Sequence, residues 1–171
     1  MNVAFYVGGV VAVIATLLMI TRVSAVHALL YLNVSLLSVA LIFYSLGAPF
    51  VALLEVIIYA GAIMVLFLFS MMMLNIGTIS DEKERALMQP GTWRGPGILA
   101  LILLAQLLYA TLQPDALSAQ GTPVEPRAVG AALFGPYMLG AELASTVLLA
   151  GLVGAHHLGR RLKPRQKGET S

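Results

Sequence analysis

Long uninterrupted apolar stretches are the feature that most constrains how this chain can fold. Five of them approach the length of about 20 residues with which an α-helix crosses the hydrocarbon core of a bilayer. They cover residues 3–20, 27–46, 50–74, 97–112 and 137–158. The sequence therefore predicts an all-α integral membrane protein with five transmembrane helices.

The composition excludes the soluble alternatives. Charged residues make up 11% of the 171 residues, whereas soluble domains carry about 25%. So few charges cannot form the polar surface of a soluble fold, and the hydrophobic content excludes a disordered chain. The chain has no cysteine, so it cannot supply disulfides, thiolate metal ligands or cysteine ligands for an iron–sulfur cluster. A net charge of only +2 leads us to expect the lipid bilayer, and no nucleic acid, as its environment.

The distribution of basic residues predicts the orientation of the chain. With the N-terminus outside, the cytoplasmic segments are 21–26, 75–96 and 159–171, and they hold nine of the ten Lys and Arg residues. Only Arg127 then lies outside. Since Lys and Arg near the ends of spans favour the cytoplasmic side, we expect a periplasmic N-terminus and a cytoplasmic C-terminus in a multi-pass protein of the bacterial inner membrane.

The connections between the stretches complete the predicted organisation. Residues 47–49 form a tight turn, so the second and third spans make a helical hairpin. The proline-rich connection before the fifth span is irregular, with a short helix near 128–134. We expect a single transmembrane domain over residues 1–158, followed by a basic cytoplasmic tail, 159–171.

Glu55 and Glu142 are the only acidic residues inside the predicted spans. Each lies about six residues from the outer end of its span, roughly 9 Å deep at 1.5 Å per residue. Tyr59 and Thr146 follow them at the i+4 positions and bring a hydroxyl to the same helix face. Two interpretations stay open: the acids belong to a proton path or border an internal water path, or they are structural and pair with a polar group on another chain.

A cluster of small residues occupies the middle of the third span. Tyr59, Ala60 and Gly61 precede a bulky run over 63–69. Glycine lowers the cost of a kink or a π-bulge, so these three residues are a candidate hinge. Small residues also let neighbouring membrane helices approach closely, and packing alone is the alternative.

No residue pattern points to chemistry performed by this chain. The sequence contains no nucleotide-binding glycine loop, catalytic triad or zinc-ligand spacing, and we predict no catalytic, cofactor-binding or metal-binding residues. His156 and His157 are predicted to lie at the membrane interface. Five spans without an internal repeat and with few charges are typical of one member of a larger membrane complex.

Three blocks of sequence resemble the family of the J subunit of bacterial NADH–quinone oxidoreductase, respiratory complex I, whose mitochondrial counterpart is subunit six. The first block is AVHALLYL, from Ala25 to Leu32. The central block is LEVIIYAGAIMVLFLF, from Leu54 to Phe69, followed by MMLN from Met72. The third comprises LFGPY, from Leu133, and ELAS, from Glu142. The resemblance covers roughly residues 1–160.

The resemblance implies a membrane-arm subunit that helps couple quinone reduction to proton translocation. It implies five transmembrane helices with a periplasmic N-terminus, packing against the small A and K subunits and a position near the quinone-binding H subunit. The implied complex uses FMN, iron–sulfur clusters and quinone, none of them carried by this chain. The third helix of the family carries a π-bulge that changes shape, which would fall near Tyr59, Ala60 and Gly61.

Two other functions remain open from the sequence. The chain could be a subunit of a related complex, either a sodium/proton antiporter or a membrane-bound hydrogenase, because these contain similar small membrane subunits. Alternatively, it could be a purely structural or assembly subunit with no part in ion movement.

The predicted orientation can be tested with fusions to a reporter enzyme that is active only in the periplasm. We expect a fusion after Ser171 to be inactive, because the C-terminus is cytoplasmic, and a fusion at Gln120 to be active. Reporter activity is measured in intact cells and normalised to the amount of fusion protein. The reverse pattern would contradict the topology.

Overall fold

A computed structural model describes residues 3–22, 24–74, 93–112 and 123–159, which are helical or lie in turns and contain no β-strand. The helices are α1 (Val3–Thr21), α2 (Ala25–Ser45), α3 (Pro49–Leu54), a π-helical segment (Glu55–Ile63), α4 (Met64–Leu74), α5 (Arg94–Leu112), α6 (Pro126–Leu133) and α7 (Met138–Gly159). The segments α3, π and α4 follow one another without a break and form the third span.

Among the described residues, four helices are long and apolar enough to cross a membrane. They are Val3–Thr21, Ala25–Ser45, Pro49–Met73 and Met138–Gly159, and Arg94–Tyr109 is a shorter apolar helix. The predicted all-helical fold is confirmed for the described part of the chain, while the count of five spans, the orientation and the division at residue 158 remain predictions.

Two helices begin earlier than predicted. Helix α2 begins at Ala25, two positions before the predicted start, and Ser24 precedes it in an extended conformation without a side-chain capping hydrogen bond. Helix α5 begins at Arg94, three positions before the predicted start. At α5 the helix includes a polar residue, Arg94, which hydropathy alone does not count as part of a span.

The chain divides into two compact units, one ending at Glu125 and the other beginning at Pro126. In the first unit α2 is the central helix, since it packs against α1, α5 and all three segments of the third span. The second unit contains α6 and α7, which contact each other.

Serine and threonine hydroxyls join α1 to α2. The Ser38 hydroxyl donates to the carbonyl of Gly8 at 2.6 Å, and the Ser35 hydroxyl lies 3.2 Å from the carbonyl of Ala12. The Thr16 and Ser35 hydroxyls lie 2.9 Å apart. A Cβ on Gly8 would lie 3.1 Å from Ile42, so glycine is what allows this close approach. Such hydrogen bonds add to dispersion in holding membrane helices together.

Tyr31 connects three helices at one end of the first unit. Its side chain is 1% exposed and belongs to the core with Val11, Ala15, Val34, Leu99 and Leu103. The Arg22 guanidinium donates to the Tyr31 hydroxyl at 3.3 Å and lies 5.3 Å from the ring centroid, within the range of a cation–π contact. Gly95, near the start of α5, packs directly against the same hydroxyl.

The turn between α2 and α3 confirms the predicted hairpin. Gly47 has φ 83°, a left-handed conformation that glycine adopts without steric cost. The amides of Gly47 and Ala48 donate to the carbonyls of Tyr44 and Phe43, both at 3.0 Å, which is the pattern of a Schellman motif. Pro49 then opens α3, where its missing N–H is no loss.

Other predicted connections lie partly or wholly outside the described residues. This is so for 75–92 of the predicted cytoplasmic loop, for 113–122 of the outer connection, and for the tail from residue 160. The short helix predicted near 128–134 is present as α6.

The packing of Gly95 against Tyr31 generates a stability prediction. We expect Gly95→Ala to lower stability by about 1–3 kcal/mol, the usual cost of overpacking a filled site, because a Cβ there would overlap the Tyr31 hydroxyl. The measurement is the thermal midpoint at which the purified membrane complex dissociates. Gly97→Ala is the matched control, because a Cβ at Gly97 meets nothing within 4 Å. Equal midpoints for the two variants would contradict the prediction.

Candidate functional site

The third span changes its hydrogen-bond register at Glu55. The Glu55 amide still bonds to the carbonyls of Val51 and Ala52, as in an α-helix or a 3₁₀ turn. At the other end of the π-helical segment, the Met64 amide is shared between the carbonyls of Tyr59 and Gly61. The bond from Met64 to Tyr59 spans five residues, which defines a π-helix. The backbone therefore stays hydrogen-bonded while it accommodates a wider turn.

Small residues lie in the second half of the π-helical segment. A Cβ built on Gly61 would lie 3.2 Å from the carbonyl oxygen of Val56, closer than ordinary van der Waals contact. That carbonyl lies five residues earlier, so it is the acceptor position for Gly61 in a π-helix. A side chain at position 61 would therefore press on the hydrogen bond that gives this segment its geometry.

Among the described residues, the π-helical segment packs against only one helix outside its own span. It packs against α2, and buried residues lie on either side of it, Ala52 before and Met64 after. None of its own nine residues is buried, and Tyr59 is 49% exposed. The remaining surface of this segment is available to a neighbouring protein or to lipid.

The structure brings together four of the five residues predicted as functional. Tyr59, Ala60 and Gly61 lie inside the π-helical segment, and Glu55 is its first residue. No hydrogen bond among the described residues joins the Glu55 carboxylate to Tyr59. Glu142 belongs to the second unit, near the start of α7. Its predicted hydroxyl neighbour, Thr146, donates to the Glu142 backbone carbonyl at 3.0 Å.

An apolar cavity of about 700 Å³ borders the start of the π-helical segment. Its walls come from α2, from α3 with the start of the π-helical segment, and from α5, and include Leu37, Ala52, Val56 and Leu103. Tyr44 is the only lining residue with a polar side chain. The cavity therefore offers room for side-chain movement and no acid–base chemistry.

Two half-buried amide side chains were not among the residues predicted from the sequence. The oxygens Asn33 Oδ1 and Gln106 Oε1 are buried and have no hydrogen-bond partner among the described residues. The Gln106 amide nitrogen donates to the carbonyl of Ala4 at 2.7 Å and so joins α5 to α1. The missed signal is simple: these are the only Asn and Gln residues inside the predicted spans.

The described residues offer no group of three or more His, Asp or Glu side chains that could hold a metal ion. The carboxylates of Glu55 and Glu142 belong to different units. What the geometry offers is a span whose hydrogen bonds change from α-helical to π-helical register at Glu55, beside an apolar cavity.

Comparison with known proteins gives a consistent result. The family described as NADH-ubiquinone/plastoquinone oxidoreductase chain 6 matches residues 15–158. The NADH-quinone oxidoreductase subunit J of Escherichia coli is 53% identical over 160 residues, covering 94% of this chain and 87% of the relative. The subunit J of Pseudomonas aeruginosa is 54% identical over 162 residues, covering 94% and 98%. The subunit J of Rhodobacter capsulatus is 37% identical over 161 residues, covering 89% and 78%.

These matches extend over nearly the whole chain and include the third span with its π-helical segment. The chain therefore belongs to the NADH-ubiquinone/plastoquinone oxidoreductase chain 6 family, which it shares with the J subunits of NADH-quinone oxidoreductase.

Proposed function

We propose that this chain helps couple quinone reduction to proton translocation in NADH-quinone oxidoreductase through a change of shape in its third span. The observation that carries the proposal is the π-helical segment Glu55–Ile63 in the middle of that span. Short π-helical insertions are rare and frequently occur at functional sites. The coupling is conformational, because the described part of the chain holds too few ionisable groups for a continuous proton path.

The conversion of π-helix to α-helix would turn the residues beyond it. When the one extra residue of a π-bulge is absorbed into the α-helix, the following helix rotates by about 100°, which is the turn per residue at 3.6 residues per turn. Met64, now buried, would then yield its position to a neighbour in the sequence. Such a turn can open or close a water path without moving a charge along this chain.

We place the chain in the bacterial inner membrane with its N-terminus in the periplasm, α5 being its fourth span. The A, K and H subunits are the proposed nearest neighbours, and FMN, the iron–sulfur clusters and quinone are carried elsewhere in the complex. None of the nine residues of the π-helical segment is buried within this chain, which leaves this part of the third span open to contacts with other subunits.

Glu55 has a supporting part in this proposal. It is the first residue of the π-helical segment and is only partly exposed. A carboxylate at that position can border the water path that the rotation opens. The full path would need further groups from neighbouring subunits, so the role of Glu55 is to tune proton movement.

We expect Glu55→Gln to lower coupled quinone reductase activity modestly, and not to abolish it, because Glu55 only borders the proposed water path and further groups come from neighbouring subunits. The measurements are NADH–quinone turnover and the proton-to-electron ratio in membrane vesicles, each normalised to assembled complex. Complete loss with normal assembly would show that Glu55 is an essential proton carrier. An unchanged rate and ratio would show that its role is structural.

The hinge is tested by Gly61→Val. We expect the amount of assembled complex to stay near normal and turnover per assembled complex to fall at least about threefold, as is typical of hinge substitutions. The β-branched side chain restricts the local backbone and presses on the Val56 carbonyl. The measurement is NADH–quinone turnover divided by the amount of assembled complex.

Gly9→Val is the matched control, because Gly9 also lies within a span and a Cβ there meets nothing within 4 Å. It is expected to leave turnover unchanged. If Gly61→Val assembles normally and turns over at the wild-type rate, Gly61 is ordinary packing and the hinge proposal is wrong. Loss of assembly with normal turnover of the remainder would favour the purely structural function.

A further inference from the structure

Helix α7, Met138–Gly159, carries a carboxylate on a span that contacts α6 and is otherwise open within the described part of its unit. None of its 22 residues is buried. Its small-residue positions Gly140, Gly151 and Gly154 would each place a Cβ in open space. The helix is apolar enough to span a membrane, and Glu142 is its only acidic residue.

The helical period separates α7 into two opposite faces. At 100° per residue, Thr146, Leu149 and Val153 each lie within about 40° of Glu142 around the helix axis. We call these four residues the Glu142 face. The small residues Gly140, Ala144 and Gly151 lie about 160–180° away, so the surface suited to close helix packing is on the other side.

The Glu142 carboxylate has no hydrogen-bond or ion-pair partner among the described residues. The two hydroxyls nearest to it in sequence are already engaged. Ser145 Oγ donates to the Glu142 backbone carbonyl at 2.8 Å, and Thr146 Oγ1 donates to the same carbonyl at 3.0 Å. A hydroxyl has a single proton to donate, so neither can satisfy the carboxylate at the same time.

Apart from Arg127, the positive charges of this chain are predicted to lie on the opposite side of the membrane from Glu142. In the described part of the unit that contains α7, Arg127 makes no ion pair. Arg22, His27 and Arg94 lie near the ends of helices predicted to be cytoplasmic, whereas Glu142 lies near the predicted outer end of α7. All the remaining Lys and Arg residues belong to segments that the sequence also predicts to be cytoplasmic.

We propose that the Glu142 face docks on a transmembrane helix of another subunit of the complex, and that this helix presents a Lys or Arg side chain to the Glu142 carboxylate. An ionisable group inside a span is rarely left facing lipid and instead pairs with another group or faces a water-filled cavity, because a charge at the helix centre costs roughly 2.5–3.5 kcal/mol on insertion scales. The proposal rests on the orientation given under the proposed function.

A protein helix fits this face better than a lipid headgroup does. The amine of a lipid stays at the membrane surface, whereas the polar strip of Glu142, Ser145 and Thr146 continues inward for another turn. Below it, Leu149 and Val153 extend the same face as an apolar surface. A partner that runs along the whole face would cover both parts.

The absence of native cysteine allows the neighbour of this face to be identified by cross-linking. Single-cysteine variants Thr146→Cys and Leu149→Cys are labelled with a photoactivatable thiol reagent in the purified complex, and the cross-linked peptides are sequenced by mass spectrometry. Leu148→Cys, about 120° away from Glu142, is the matched control at similar depth. We expect the first two to label one helix of another subunit, near a Lys or Arg, and the control not to label it.

Charge exchange then tests the ion pair itself. Glu142→Leu and Glu142→Lys are expected to lower the fraction of this chain retained in the detergent-purified complex at least fivefold, which is typical of removing one member of a buried pair. Replacement of the cross-linked Lys or Arg by Glu is expected to restore retention of Glu142→Lys. Leu148→Ala is expected to retain the chain normally.

Three results would overturn the proposal: labelling of lipid alone, labelling of this chain's own helices alone, or normal retention of Glu142→Leu. These outcomes are separate from a failure of the hinge. Retention and cross-linking do not depend on turnover, whereas the effect of Gly61→Val is measured on complex that has already assembled.

Discussion

Hydrocarbon supplies no hydrogen-bond partners, and this constraint governs most of what the chain does. Each backbone group left unpaired in a bilayer costs several kcal/mol. The apolar stretches therefore become helices, and the Ser35 and Ser38 hydroxyls donate to carbonyls of α1. The third span obeys the same constraint in another way. Its backbone changes to longer-range bonds at Glu55–Ile63, so a wider turn is formed while the amide of Met64 stays paired.

The parts of the fold that depend on length and polarity could be predicted from the sequence. The extents of α1 and α2, the hairpin at Gly47 and the short helix α6 follow from apolar length and from glycine and proline positions. The start of α5 at Arg94 could not, because hydropathy does not count a polar residue at a helix start as part of the span. Contacts such as Gly95 with Tyr31 could not either, because nothing local in the sequence links two distant positions.

The candidate site was predictable in place but not in extent. The small residues around Gly61 indicate where the backbone is permissive, yet the π-helical segment starts at Glu55 and includes bulky residues such as Ile57. Residue type says little about hydrogen-bond register, since the same side chains fit either helix. Asn33 and Gln106 are uncharged, yet their buried amide oxygens also require a partner in a membrane span, so polar uncharged residues predict contact sites as charged ones do.

Family membership explains why so much apolar surface is left open on a single chain. Phe67, Met72 and Leu152 are among the large side chains that remain exposed, as expected of a subunit whose neighbours complete its packing.

The hairpin tip at Gly47 fixes one end of the third span and leaves the other end free to rotate. Besides its turn hydrogen bonds, the Gly47 carbonyl accepts a bond from the amide of Val124 at 2.8 Å, so the end of the span before the π-helical segment is clamped from two parts of the chain. A helix that is held at one end cannot rotate there. If the segment Glu55–Ile63 changed its helical twist, the rotation would therefore appear in α4, toward Leu74, while α3 kept its position.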